Sequence, residues 1–206
     1  MSDVSDSILT RIRRRARPDR TTLRAIEYTN HGWPVAALAV PWGDWCPCGK
    51  SCTDPHLVSE EIVSPEEASR VWAKGHLWDI AFVTSRFDVV DLPGWIGAEL
   101  HGKLITRCPT ATAGYAPRHT RRWQFIVETG ALSMDEMEWV GGVVHSGPDD
   151  WIAASPTRTE ESGRVGWIVD PVTAHWRPCT AEVVLDRVMG TRGITATIAS
   201  VTEGHG

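Results

Sequence analysis

The amino-acid sequence predicts an α+β fold, a single domain whose mixed or antiparallel sheet is flanked by helices and interrupted by a zinc-binding loop insertion. Two patterns predict it. Short apolar runs of strand length, such as residues 34–40, are separated by amphipathic stretches that begin at helix caps and stop at glycines. Three cysteines and a histidine then crowd into residues 46–56, between two such elements and not in a tail. With 206 residues, 42% of them hydrophobic, the chain is long enough to bury one sizeable core. It shows neither an internal repeat nor a low-complexity linker. The organisation expected is a basic arm over 1–20, the domain over 21–190 and a tail over 191–206.

The elements follow in order. Residues 21–31 read as a helix with Leu23, Ile26 and Ala25 turned inward and Gly32 as its stop. Residues 34–40, an unbroken apolar run, have the pattern of a buried strand. After the metal loop, placed at about 42–58, Ser64-Pro65-Glu66-Glu67 opens a helix. Ser64 caps it, Pro65 takes the first helical position, and Glu67 completes a capping box. Ala68, Val71 and Trp72 give that helix an apolar face, and Gly75 ends it. Residues 78–84 and 87–92 read as two strands around a turn at Ser85-Arg86, followed by a helix over 93–101. Residues 104–109 and 121–128 read as strands joined by a loop rich in Thr, Ala, Gly and Pro. On the second of these, Trp123, Phe125 and Val127 share one face with Arg121, while Arg122, Gln124 and Ile126 share the other. Ser133 starts a short capped helix, residues 143–144, 151–154 and 165–169 suggest further strands, and 180–189 reads as a closing helix.

Charge and composition narrow the function. A formal charge of −5 argues against a wholly basic nucleic-acid coat. The distribution is uneven: residues 1–20 hold six arginines against Asp3, Asp6 and Asp19, and the remainder holds 15 basic and 23 acidic residues. The arm is either a segment that steers the protein to a polyanion or a solvated helix. No apolar run approaches the roughly 18 residues that span a bilayer, and no apolar core follows the first arginines, so a cytoplasmic protein with no membrane partner is expected. Five cysteines, three of them clustered, fit a reduced compartment with a metal better than a disulfide framework. Cys108 and Cys179 read as isolated, semi-buried thiols. Of the eleven tryptophans, most are expected in the core, with a few available to stack on bases.

The cluster Cys46, Cys48, Cys52 and His56 has the spacing C-x-C-x3-C-x3-H. Glycine, proline and small polar residues separate the ligands, so the backbone can fold tightly around a centre. Four soft or borderline donors at this density suit a tetrahedral structural zinc. The alternatives are three cysteines with a distant fourth ligand, or packed thiols beside a surface histidine. A Cys46–Cys48 disulfide is strained at this spacing.

In sequence order, His31-Gly32-Trp33-Pro34-Val35, the loop from Cys46 to His56, the helix from Glu66 to Trp72 and the strand Trp78-Asp79-Ile80-Ala81-Phe82-Val83-Thr84 form a recognisable series. The series resembles the N-terminal domain of bifunctional DNA primase-polymerases, of the archaeo-eukaryotic primase superfamily, in a degenerate form. There a glycine-aromatic-proline-valine strand precedes a cysteine loop, a tryptophan-bearing helix and an apolar strand. The strand 87–93, the segment 118–125, and 150–157 with the glycine-rich 163–167 are similar to its later motifs, so the resemblance spans roughly 21–190. It implies a prim-pol core, akin to an RRM-like sheet, that binds DNA or nucleotide. It also implies Mg²⁺ or Mn²⁺ wherever catalysis survives, and any unwinding by a separate helicase or replication protein, since no P-loop is present.

The departures bear on activity. The alignment places Asp91 at the family's first metal carboxylate and Pro93 at the second, where no side chain can bind a cation. Asp88 and Asp91 are three apart, so on a strand they face opposite sides. The family's nucleotide-contacting histidine falls on Arg122, which as a fork donor can still hold a phosphate. Arg118, His119, Arg121 and Gln124 are the remaining candidates for a basic cleft, alongside Lys103. No acid stands at 144–147, and Asp149 and Asp150 come slightly late. Nucleotidyl transfer needs two divalent ions about 4 Å apart on convergent carboxylates. The expectation is therefore a DNA- or nucleotide-binding domain whose polymerase chemistry, if any, rests on Asp91, Asp88 and Arg122. The alternatives are an active template-dependent primase and a zinc-stabilised protein-interaction module that keeps only the fold.

Overall fold

The computed structural model describes residues 20–73, 77–104, 112–115, 122–130, 137–138, 140–159, 163–180, 183–184 and 186. Among them lie three helices, α1 (Arg20–Asn30), α2 (Pro65–Ala73) and α3 (Gly94–Leu104). The strands are β1 (Val35–Ala39), β2 (His56–Leu57), β3 (Asp79–Leu92), β4 (Thr112–Tyr115), β5 (Trp123–Val127), β6 (Val143–Ala153), β7 (Arg158–Thr159) and β8 (Gly163–Val169). The pairings with registered residues, β1 with β2 and β3, β5 with β3 and β4, and β4 with β8, are all antiparallel. The fold is thus α+β with an antiparallel sheet. No described helix is long and apolar enough to cross a membrane. The chain forms two compact units, one within Met1–Val83 and Ala153–Glu161, the other within Thr84–Ile152 and Ser162–Gly206.

In the first unit, α1 ends as Gly32 predicts. Gly32 takes φ 75°, its N–H donates to the Thr29 carbonyl, and the Trp33 N–H donates to the Tyr28 carbonyl. These two bonds make a Schellman motif, which needs the left-handed conformation glycine tolerates. The inward face is Thr22, Ala25, Tyr28 and Thr29, while Leu23 is 53% exposed, so its expected inward orientation is corrected. The helix rotates to bury Tyr28, whose ring packs edge-on against Phe82 at 4.7 Å and whose hydroxyl donates to the Ser155 carbonyl at 2.7 Å. β1 is fully buried and pairs with the first residues of β3, Val35 opposite Phe82. At α2 the Ser64 hydroxyl accepts the Glu67 N–H at 3.1 Å, as the cap sequence predicts.

In the second unit, the last five residues of β3 pair with β5, Asp91 opposite Gln124. Val90 and Leu92 of β3, Ile96, Leu100 and Leu104 of α3, and Trp123, Phe125 and Val127 of β5 bury one continuous core. The alternation expected for β5 therefore holds, because its aromatic face is the one α3 covers.

Further sequence readings change, and the strands expected at 143–144 and 151–154 are one, Val143–Ala153. The two strands expected around Ser85-Arg86 are one 14-residue strand. That dipeptide contains no glycine, proline or asparagine to impose a turn, and it serves as a polar interruption within β3. Leu104 closes α3 instead of opening a strand. The loop expected between 109 and 121 contains β4, where Gly114 lies opposite Trp123. Cys179 is buried and disulfide-bonded, not a thiol. Most of the helices expected near 133 and over 180–189 lies outside the described residues.

α3 approaches β5 at Gly97, where an added Cβ would lie 2.6 Å from the Cβ of Trp123. Overpacking of this kind costs about 1–3 kcal/mol. Gly97→Ala should lower the urea midpoint of unfolding accordingly, with little change in slope. An unchanged midpoint would show that the helix can lift away freely.

Candidate metal centre and carboxylate strand

The metal loop is an elaborated connection between β1 and β2. It leaves β1 through a tight turn, Trp42-Gly43-Asp44-Trp45, in which Trp42 and Trp45 exchange backbone hydrogen bonds of 2.7 and 3.1 Å. Gly43, at φ 55°, supplies the positive angle that a two-residue hairpin needs at its first central position. Cys46 follows immediately and is buried. A second turn, closed by the Gly49 N–H on the Cys46 carbonyl at 2.9 Å with Gly49 at φ 80°, swings Cys48 beside it. His56 begins β2 and is pinned opposite Ala39 of β1. Strand pairing thus fixes one ligand, and turns place Cys46 and Cys48.

The donor atoms of Cys46, Cys48, Cys52 and His56 all lie within 4.8 Å of one another. Cys48 Sγ is 3.5 Å from Cys52 Sγ, which is 3.8 Å from His56 Nε2. A tetrahedron built on Zn–S bonds of about 2.3 Å has edges of about 3.8 Å, so these separations fit one zinc ion. His56 Nδ1 lies 3.0 Å from the Asp54 carbonyl. A proton on Nδ1 donates to that carbonyl and leaves the Nε2 lone pair facing the sulfurs, the usual arrangement for a ligating imidazole. The expected four-ligand set is therefore brought together and can bind a metal; the alternative with a distant fourth ligand is unnecessary.

The electrostatics of the cluster are those of a donor set built for a cation. Burial raises the Cys48 thiol, but the Lys50 backbone N–H and the Cys46, Cys52 and His56 side chains outweigh it and bring it down to about 6. Cys52 moves the other way, raised to about 11, first by its hydrogen bond with Cys48 and then by burial and the neighbouring sulfurs. His56 is raised, chiefly by its bond to the Asp54 backbone. One negative charge is accommodated and the next is resisted. A divalent ion reverses that resistance, since a coordinated thiol is deprotonated outright.

The carboxylates of β3 behave differently. Asp91 is buried, and Arg122 closes over it. Arg122 Nε donates to Asp91 Oδ1 at 2.5 Å, one Nη donates to the Asp91 carbonyl at 2.7 Å, and both Nη reach the Gly141 carbonyl at 3.1 Å. Gln124 Nε2 approaches Asp91 Oδ2 at 3.4 Å. Burial raises the Asp91 pKa, and Arg122 and Gln124 oppose that rise. Asp88 faces the other way: its oxygens accept the Ser146 hydroxyl at 2.6 Å and the Gly130 N–H at 2.7 Å. The two acids do not converge. Asp150 contacts His145 Nδ1 at 3.1 Å and accepts its neighbour Trp151 N–H at 2.7 Å, while Asp149 is exposed. Among the described residues, the only group of three or more donors close enough to hold a metal is the cysteine–histidine cluster. Arg118, His119 and Arg121 lie outside the described residues.

Ser146 and Gly130 as partners of Asp88, and the Gly141 carbonyl as a partner of Arg122, were not legible in the sequence. Nothing in the local sequence says which loop a buried aspartate will tie down. No protein-family profile, curated protein or solved structure matches the chain.

Zinc binding at pH 7 should release at least one proton, because the Cys52 thiol must ionise. Calorimetry in buffers of different ionisation enthalpy measures that number, and affinity should fall as pH drops; Cys48→Ser should remove stoichiometric zinc and lower the thermal midpoint by about 5–10 °C. Arg122→Ala strips a half-exposed guanidinium from a buried carboxylate and should cost about 1–3 kcal/mol. Losing Arg122 lifts the folded-state Asp91 pKa further above its unfolded value of about 3.9. The deficit should grow as pH rises from that value toward neutrality and shrink on acidification; equal deficits at pH 4.5 and 7.5 would remove Asp91 from the explanation.

Proposed function

We propose that this chain is a zinc-stabilised, primase-polymerase-like domain that binds single-stranded DNA or nucleotide and has lost nucleotidyl transfer. The observation that carries the reading is the grip of Arg122 on Asp91. The one carboxylate aligned with a family metal ligand is held by a cation supplied from the position aligned with the family histidine. A divalent ion at Asp91 would have to displace that guanidinium and would meet its positive charge at close range. Pro93 offers no second ligand, and Asp88 points to the opposite face of β3. The alternative of an active primase using Asp88 and Asp91 together lacks convergent geometry, so Mg²⁺ or Mn²⁺ has no pair of acids to bridge on this strand.

On this reading zinc is structural, and it holds the β1–β2 connection that precedes the carboxylate strand. Binding to nucleic acid draws on the arginine-rich arm over 1–20 and on Arg118 and Arg121, and Arg122 is assigned to the scaffold. In replication the domain would act beside a separate helicase or polymerase.

The test is primer extension on single-stranded templates with dNTPs or NTPs and Mg²⁺ or Mn²⁺. The zinc-loaded protein should give no product, while binding a fluorescent oligonucleotide weakly and with a steep salt dependence. Extension by the wild type that Asp91→Asn abolishes would make Asp91 a metal ligand and overturn the reading. Deleting residues 1–20 should weaken binding and leave the thermal midpoint in place.

A further inference from the structure

The first unit carries a feature that the zinc and the carboxylates do not use. Beside the metal loop, Trp42, Trp45, Trp78, Leu77 and Pro47 line a cleft of about 300 Å³, with Thr21 and Asp79 at its polar edge. Trp42 is 47% exposed, Trp45 51% and Leu77 70%. Trp42 and Trp45 form the hydrogen-bonded pair of the tight turn, so their side chains project from the same face of that hairpin. The exposed Arg158 places its guanidinium 5.5 Å from the centre of the Trp42 ring. The turn is anchored at both ends, by β1 on one side and by Cys46 on the other, so the rings are presented by a fixed backbone.

Buried tryptophans need no explanation; half-exposed ones on a rigid turn with a cation alongside do. We infer that this cleft binds one unstacked base of a single-stranded nucleic acid, with the base against Trp42 and Trp45 and its phosphate on Arg158. The inference deepens the proposed function and rests on it. Three features select this occupant. Indole faces accept any base by stacking, and a guanidinium beside them supplies the phosphate partner, the combination that single-strand binders use. The volume lies at the lower end of ligand clefts, about 300–1,000 Å³, which suits one nucleotide. In a duplex the base faces are already stacked, so double-stranded DNA has nothing to offer the rings. Zinc enters indirectly, because the metal fixes Cys46 and therefore the second tryptophan.

The test is a tryptophan-fluorescence titration of the zinc-loaded full chain with an oligothymidylate of about eight nucleotides at several salt concentrations. Wild type should show quenching on binding, and the Trp42→Ala/Trp45→Ala pair should bind at least about tenfold more weakly by anisotropy of a labelled oligonucleotide. Arg158→Gln should reduce the slope of log affinity against log salt by about 0.7, the loss of one phosphate contact on a single strand. Unchanged affinity in the double variant, with wild type binding, overturns the cleft and leaves the proposed function standing. No wild-type binding at low salt overturns both. Should the double variant lose zinc or unfold, Arg158→Gln decides alone, and an unchanged slope counts against the cleft.

Discussion

The alternation of side chains along β3 constrains most of what this molecule can do. The strand runs unbroken from Asp79 to Leu92, pairing first with β1 and later with β5. Once Val90 and Leu92 are committed to the core beneath α3, every second residue is fixed on that face and Asp91 is committed to the other. Asp88 is then on the core side, where it survives burial only by accepting bonds from Ser146 and Gly130. A slip of one residue would bring Asp91 into the core and expel the aliphatic side chains. The separation of the two acids is therefore a property of the sheet, and no rotamer change restores a chelate.

Asp91 and the metal loop show two solutions to the same electrostatic problem. A buried carboxylate is costly unless a cation or several donors accompany it. At Asp91 the companion is covalently part of the chain, and Arg122 joins the end of β3 to the turn at Gly141 through the same guanidinium. In the cysteine cluster the companions are the Lys50 backbone N–H, the neighbouring sulfurs and His56. Cys48 and Cys52 are driven apart in acidity, and only an external ion relieves the second ionisation. At one site the chain's own arginine stands beside the carboxylate; the other brings together four donors close enough to bind a metal.

How far this was legible in the sequence differs by element. The stops and caps at Gly32 and Ser64 were local, because they depend on residues within one turn, and they appear as read. The ligand set was legible because its four members are close in the chain. The face assignment of Asp91, Arg122 and Gln124 followed from strand periodicity, and the register makes Asp91 and Gln124 direct neighbours. What failed was long-range. Leu23 looked inward by helical period, yet the partners of Tyr28 in Phe82 and Ser155 set the helix rotation. Ser85-Arg86 looked like a turn by polarity alone. β4 was hidden in a segment of small residues whose strand character comes from its neighbours β5 and β8.

The central claim is that Asp91 is neutralised by Arg122 and holds no divalent ion. Electron paramagnetic resonance of Mn²⁺ titrated into the zinc-loaded protein tests it directly. The account predicts a free-ion signal that tracks added Mn²⁺, with no stoichiometric loss of intensity. A saturable bound Mn²⁺ in the wild type that disappears in Asp91→Asn would contradict it.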